Sequence, residues 1–208
     1  MPSDPAALRS IESDGVCLVY GAGQQALDAA LALEGRLSVS LLLSDASDIL
    51  LPSVLPVPVH SGRIRSVGGA LGSFSVTVDG YAQILPSSRG APAFALARDG
   101  ARAGCSLILD LSGGTPLVTG PAKRDGYFRV DPKDPAAVAR ALFDMADMVG
   151  TFEKPQYVTY DASICAHGRS GKTGCSNCLD ACPAGAITSA GNEIVVDAGI
   201  CGGCGSCA

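Results

Sequence analysis

Seven cysteines crowd the last 44 residues of the chain, and their spacing restricts that stretch more than any other feature does. They run Cys165-x9-Cys175-x2-Cys178-x3-Cys182-Pro183 and then, past an intervening segment, Cys201-x2-Cys204-x2-Cys207. The opening residues, "MPSDPAALRSIESDG", have neither a basic n-region nor an apolar h-region, so a cytoplasmic, soluble chain is expected. Thiols this dense in such a chain point to metal binding or redox chemistry before disulfides. The remaining two, Cys17 and Cys105, stand alone in apolar strand-like runs and read as small core residues.

The x2-x2 triplet with a remote Cys-Pro carries a definite chemistry. In the run C-x2-C-x2-C-x3-C-P, three close cysteines bind three irons of one [4Fe–4S] cubane. In two-cluster proteins the cysteine before proline crosses to the other cluster. Cys201, Cys204 and Cys207 then take Cys182 as their remote fourth ligand, which completes one cluster. Cys165, Cys175 and Cys178 would serve a second, whose fourth ligand is expected in a Cys-Pro beyond Cys207. The sequence reads as cut within its last motif, the parent protein continuing past it.

A tetrahedral zinc site from Cys165, Cys175, Cys178 and Cys182 is the alternative. Zinc sites favour two cysteine pairs over an x2-x2 triplet and give no reason for Pro183. Gly202, Gly203 and Gly205 would let backbone N–H groups approach cluster sulfides, or would simply shape a turn. The nine-residue insertion after Cys165 carries His167, Arg169 and Lys172, and reads as a solvated loop with His167 a minor candidate ligand.

The first 150 residues have a different character. "GVCLVYGAGQQALDAALALEGRLSVSLLLSDASD" reads as strand, turn, helix, strand, with Leu27 and Leu31 on one helix face. Its turn fits G-x-G-x-x-G/A through Gly21, Gly23 and Ala26. Gly21 permits the tight turn, Gly23 clears space for a pyrophosphate, and Ala26 lets helix and strand pack closely. Asp45 lies where an acidic residue would hold a ribose hydroxyl. FAD or NAD(P) is thus one expectation, beside a Rossmann-like scaffold that binds nothing, because any tight βα turn welcomes small residues.

Further along, "GRIRSV" and "SFSVTVDGYAQI" alternate with period two, as an antiparallel ribbon turning through "GGALG", with Arg63 and Arg65 on its solvated face. "CSLILDLSGG" reads as a buried strand ending near Asp110. "DPAAVARALFDMADMVG" reads as a helix capped by Asp134 and stopped by Gly150. His60 stands isolated in a loop with no evident partner. "AITSAGNEIVVD" is a hairpin turning at Gly191-Asn192.

The expected architecture is α/β: a Rossmann-like region with an antiparallel ribbon over residues 1–150, then a small α+β ferredoxin-like domain over 151–208. With 47% hydrophobic and 17% charged residues the chain can bury a core. A net charge of −5 without a basic block, no Trp and 5% aromatics argue against a nucleic-acid partner. The most apolar stretch, from Leu37 to Val59, is broken by Asp45, Asp48 and prolines, so no membrane span is expected.

The tail resembles two-cluster bacterial ferredoxin domains through Cys182-Pro183 and the Cys201, Cys204, Cys207 triplet. Over its length the chain is similar to part of a bacterial 4Fe-4S binding protein associated with formate dehydrogenase accessory genes. "LILDLSGGTPL", "KRDGYFRVDPKDPAAVARALFD", "MVGTFEKPQYV" and "TGCSNCLDACPAGAIT" carry that resemblance. "VYGAG" and "GALGSFSVTV" are faintly similar to the flavin-linked component of heterodisulfide reductase, which would imply FAD, although Ala26 replaces the third glycine of the flavin motif.

These resemblances imply an electron carrier for a dehydrogenase-type redox partner, formate dehydrogenase-like in kind. The alternatives are a nucleotide-binding component of an oxidoreductase, taking FAD or NAD(P), and a non-catalytic assembly factor. No nucleophile–base pair or paired catalytic carboxylates stand out in the sequence.

Overall fold

The computed structural model describes residues 7–120, 124–170, 174–191 and 193–207. Lys172 and the expected turn residue Asn192 lie outside them. In chain order the elements are β1 (Leu8–Ser13), β2 (Val16–Ala22), α1 (Gly23–Leu33), β3 (Ser38–Asp45), β4 (Val59–Gly68), β5 (Phe74–Gln83), β6 (Ala101–Cys105) and β7 (Leu107–Leu111). There follow β8 (Tyr127–Arg129), α2 (Pro135–Ala146), β9 (Gly150–Pro155), α3 (Ala166–Ser170), α4 (Asn177–Ala181), β10 (Ile187–Ala190) and β11 (Glu193–Val196).

Two compact units divide the chain. The sheet unit comprises Glu12–Val118 and Asp125–Gly150, and the cysteine unit comprises Met1–Ile11, Thr119–Arg124 and Thr151–Ala208.

The sheet unit holds a seven-stranded sheet in the order β6-β5-β4-β3-β2-β7-β8. β4, β3, β2, β7 and β8 run parallel, while β5 and β6 are added antiparallel. "CLVY", "LLL" and "LILDL" in the central strands are buried on both faces, which explains why they read as continuous apolar runs.

The connectivity at one residue shapes this sheet. β6 sits at one edge and β7 lies next to β2, yet only Ser106 separates them in the chain. Ser106 N–H donates to Val16 O (2.8 Å), and Ser106 Oγ donates to the Asp14 carboxylate (2.5 Å). The antiparallel edge must therefore curl back over the parallel strands. Phe74, Val76 and Val78 of β5 accordingly pack with Leu18, Tyr20, Leu42 and Ile108 in one core. On the opposite face, α1 buries Ala26, Leu27, Ala30 and Leu33.

This architecture corrects the expectation of an α/β Rossmann-like region plus an α+β ferredoxin-like domain. Among the described residues, 38% are in strands or bridges and 17% in helices. One sheet face is covered by the sheet's own flap rather than by helices. Pro52, Pro56 and Pro58 deny a helix to the β3–β4 connection, and glycines and prolines deny one between β7 and β8. In the cysteine unit the described elements are β1 paired with β9, the β10–β11 hairpin, and two helices of five residues each.

Asp134 does cap α2, accepting from Ala136 N–H (3.1 Å) and Ala137 N–H (3.0 Å). The antiparallel ribbon of β4 and β5 also forms. His60 lies within β4 rather than in a loop, its Nδ1 3.1 Å from the Tyr81 hydroxyl. Arg63 and Arg65 are exposed, and Arg65 Nε donates to Asp79 (2.6 Å).

Asp110 is wholly buried at the end of β7 and fully used. Its Oδ2 accepts from the Tyr127 hydroxyl (2.6 Å), and its Oδ1 accepts from Ser112 Oγ (2.6 Å) and Ser112 N–H (3.0 Å). The Tyr127 oxygen in turn accepts from Leu117 N–H (3.1 Å), so one carboxylate shapes the loop after β7. Asp110→Ala removes the hub and should destabilise the protein by about 3–5 kcal/mol. Tyr127→Phe removes one spoke and should cost about 1–2 kcal/mol. Urea unfolding checks the order, and a Tyr127→Phe loss as large as that of Asp110→Ala would contradict the hub.

Candidate metal centre

The cysteine unit is built around its hairpin. β10 and β11 pair antiparallel from Ile187↔Val196 to Ala190↔Glu193. Beyond that ladder, Asp197 N–H donates to Ala186 O (2.7 Å), extending the pairing toward both cysteine segments. On one side lie α4 and Cys182. Gly185 N–H donates to Cys182 O (3.2 Å), and Ala186 N–H points at the Cys182 sulfur (3.3 Å). On the other side Asp197 organises the approach to Cys201. Its carboxylate accepts from Gly199 N–H (2.8 Å) and Ile200 N–H (3.3 Å), and its carbonyl accepts from Cys201 N–H (2.9 Å).

The consequence is that Cys182 joins Cys201, Cys204 and Cys207 on the wall of one small cavity. Apart from Ser206, the rest of that wall is apolar or glycine, Val158, Ala186, Ile187, Val196 and Gly203 among it. Gly203 has φ +71°, and a Cβ there would stand 2.7 Å from the Tyr157 ring. The loop between Cys201 and Cys204 therefore needs glycine twice over, for its backbone conformation and for the ring lying on it. Ser206 lowers the Cys204 thiol from its usual range through its hydroxyl, helped by its N–H.

Among the described residues, no three His, Cys, Asp or Glu side chains converge on a point suited to a single ion. A cubane asks for something different. Its irons sit at separate corners, so its four thiolates surround a volume rather than meet at a point. Four cysteines on the wall of one cavity, with a backbone N–H aimed at the Cys182 sulfur, supply the donor chemistry such a group needs.

The other three cysteines are less closely gathered. Cys165 and Cys178 line a wider, more open cavity with Tyr157, Tyr160, Ile164 and Cys207. Cys175 is not on that wall. The neighbouring Tyr160 hydroxyl, then the N–H of Gly168, lower the Cys165 thiol from its ordinary range, although the buried Tyr160 oxygen makes no hydrogen bond of normal geometry. His167 is not a solvated loop residue: it is buried, with Nδ1 3.2 Å from Cys175 O and Nε2 3.0 Å from Gly191 O. It ties the first cysteine segment to the hairpin. Arg169 is exposed.

In the sheet unit, Gly21 is the penultimate residue of β2 and Gly23 starts α1 with φ +66°. A Cβ on Gly21 would lie 3.0 Å from the Cβ atoms of both Ala26 and Leu111, so helix packing alone accounts for Gly21 and for the buried Ala26. The Gln24 side chain accepts from Leu50 N–H (2.9 Å), drawing the loop after β3 onto the start of α1. Asp45 sits across the ladder from Ala22, and its carboxylate accepts from Ser47 N–H (3.0 Å). It borders a polar cavity shared with Ser61, Arg63, Asp79 and Phe94, which Gly21 and Gly23 do not line.

Residues that sequence reasoning overlooked are Tyr157, Asp197, Arg124 and Lys154. Arg124 Nη2 donates to Ala184 O (2.7 Å), and Lys154 Nζ donates to Gly199 O (2.7 Å). Asp197 had a local signal, an Asx turn starting three residues before Ile200-Cys201, since Asp followed by Ala-Gly favours such turns. The other three act from a distance and leave none.

Cys17 and Cys105 are buried in the sheet unit, and burial pushes both thiols up, that of Cys105 to about 12. Alkylation of the reduced, metal-free protein at pH 8 should therefore label the seven tail thiols quickly. Cys17 and Cys105 should label only on unfolding, and rapid native labelling of either would contradict their placement. The chain matches no protein-family model, no curated protein and no solved structure.

Proposed function

We propose that this chain is an iron–sulfur electron-transfer protein in which Cys182, Cys201, Cys204 and Cys207 hold a [4Fe–4S] cluster. The observation that supports the reading is the shared cavity, which gathers the x2-x2 triplet and the one cysteine that the spacing rule assigns to it from outside. When bound, such a cluster supplies one-electron exchange at a potential set by charge, hydrogen bonds to sulfur and exposure.

The chain's own residues supply the remainder. The hairpin fixes the separation of the two ligand segments, and Ala186 N–H steadies the Cys182 sulfur. Cys165, Cys175 and Cys178 are the ligands of a second cluster whose fourth ligand is not among them. The partner that fits this activity is a dehydrogenase-type redox protein, which gives or takes single electrons.

Anaerobic treatment with iron and sulfide should yield brown protein whose iron and acid-labile sulfide are equal, with a paramagnetic signal on reduction. Cys182→Ala should lose the iron of one cluster. Colourless protein holding stoichiometric zinc, or iron uptake indifferent to Cys182→Ala, would overturn the reading.

A further inference from the structure

The segments that present the four thiols are gripped by cations from elsewhere in the cysteine unit. Arg124 donates to Ala184 O, two residues past Cys182, and Lys154 donates to Gly199 O, two residues before Cys201. Gly120 lies against the same stretch as Arg124: a Cβ there would stand 3.5 Å from Ala184 Cα and 3.6 Å from Pro183 O. The Arg124 guanidinium is held at the Ala184 carbonyl, and the residue is half-buried. Burial pushes its pKa down, while the Asp197 carboxylate and the Cys182 thiol oppose that push.

Charge makes this placement consequential. Four thiolates on one small cavity accumulate negative charge, and each added electron deepens it. A guanidinium stays protonated in such surroundings and is held in one place by its bond to Ala184 O. It favours the more negative state of whatever the thiolates hold.

We propose that Arg124 is a fixed positive charge of this site, raising the reduction potential of the group bound by Cys182, Cys201, Cys204 and Cys207. The proposal rests on the iron–sulfur reading. It goes beyond it in naming a residue outside the cysteine-bearing segments as one that raises the potential.

The test is a potentiometric titration of the iron-loaded full chain, followed by its paramagnetic signal, for wild type, Arg124→Gln and Arg124→Lys. At the wild-type midpoint, Arg124→Gln should show an oxidised-to-reduced ratio raised about threefold to tenfold, tenfold being 59 mV for one electron. Arg124→Lys keeps the charge and should stay within about twofold of wild type, on the same one-electron scale.

An iron-loaded Arg124→Gln with the wild-type midpoint overturns the proposal. So does an Arg124→Lys midpoint as low as that of Arg124→Gln, which would assign the effect to the guanidinium's shape. If Arg124→Gln holds no iron, a loaded Arg124→Lys with the wild-type midpoint upholds the role of charge, and loss of iron in both overturns it. Wild type that takes up no iron overturns the iron–sulfur reading itself, a result separable from all of these.

Discussion

The cysteine unit depends on a short antiparallel pairing. Four residue pairs and the added bond from Asp197 N–H to Ala186 O decide that Cys182 and Cys201 approach each other. A two-stranded hairpin of this length is marginal alone. Its buried residues, Ile187 and Ile194, are few, so much of its hold comes from ties outside the ladder: His167 on Gly191 O, Lys154 on Gly199 O and Arg124 on Ala184 O. A group bridging Cys182 to the Cys201–Cys207 loop would close that structure covalently. Ligand binding and folding of such a unit would then be coupled, as they are in small metal domains.

The sheet unit is stabilised in the opposite way. Its central strands are apolar on both faces, and the single-residue link at Ser106 forces the antiparallel flap over the parallel strands. The flap does the covering that helices do in a doubly wound sheet. Buried polar groups are satisfied within the rim, Asp110 by Tyr127 and Ser112, and Ser106 by Asp14. Among the described residues no helix is long and apolar enough to cross a membrane.

Local patterns were legible wherever a single segment carried the information. The α1 helix, the ribbon of β4 and β5, and the β10–β11 hairpin form where periodicity places them, and α2 starts at its Asp134 cap but ends at Ala146, short of the expected stop at Gly150, which opens β9. What failed was assembly. The small-residue turn at Gly21 to Ala26 looks the same in a helix-covered sheet and in this curled one, since close packing of Ala26 and Leu111 on Gly21 demands it in either. "CSLILDLSGG" read as one strand, because nothing in an apolar run announces that Ser106 breaks it between opposite sides of a sheet. For the candidate site, spacing alone joined Cys182 to the distant triplet, as a ligand rule with long reach. It could not reveal His167 as a buried tie or Arg124 as a neighbour, because both contacts are made to backbone carbonyls and leave no trace in side-chain patterns.

The central claim is that Cys182 belongs with Cys201, Cys204 and Cys207 rather than with Cys175 and Cys178. Thiol footprinting of the iron-loaded protein, with labelled positions read by mass spectrometry as iron is withdrawn stepwise, addresses that grouping directly. Cys182 is expected to become reactive in the same step as Cys201, Cys204 and Cys207. Release of Cys182 together with Cys175 and Cys178, while the triplet stays protected, would contradict it.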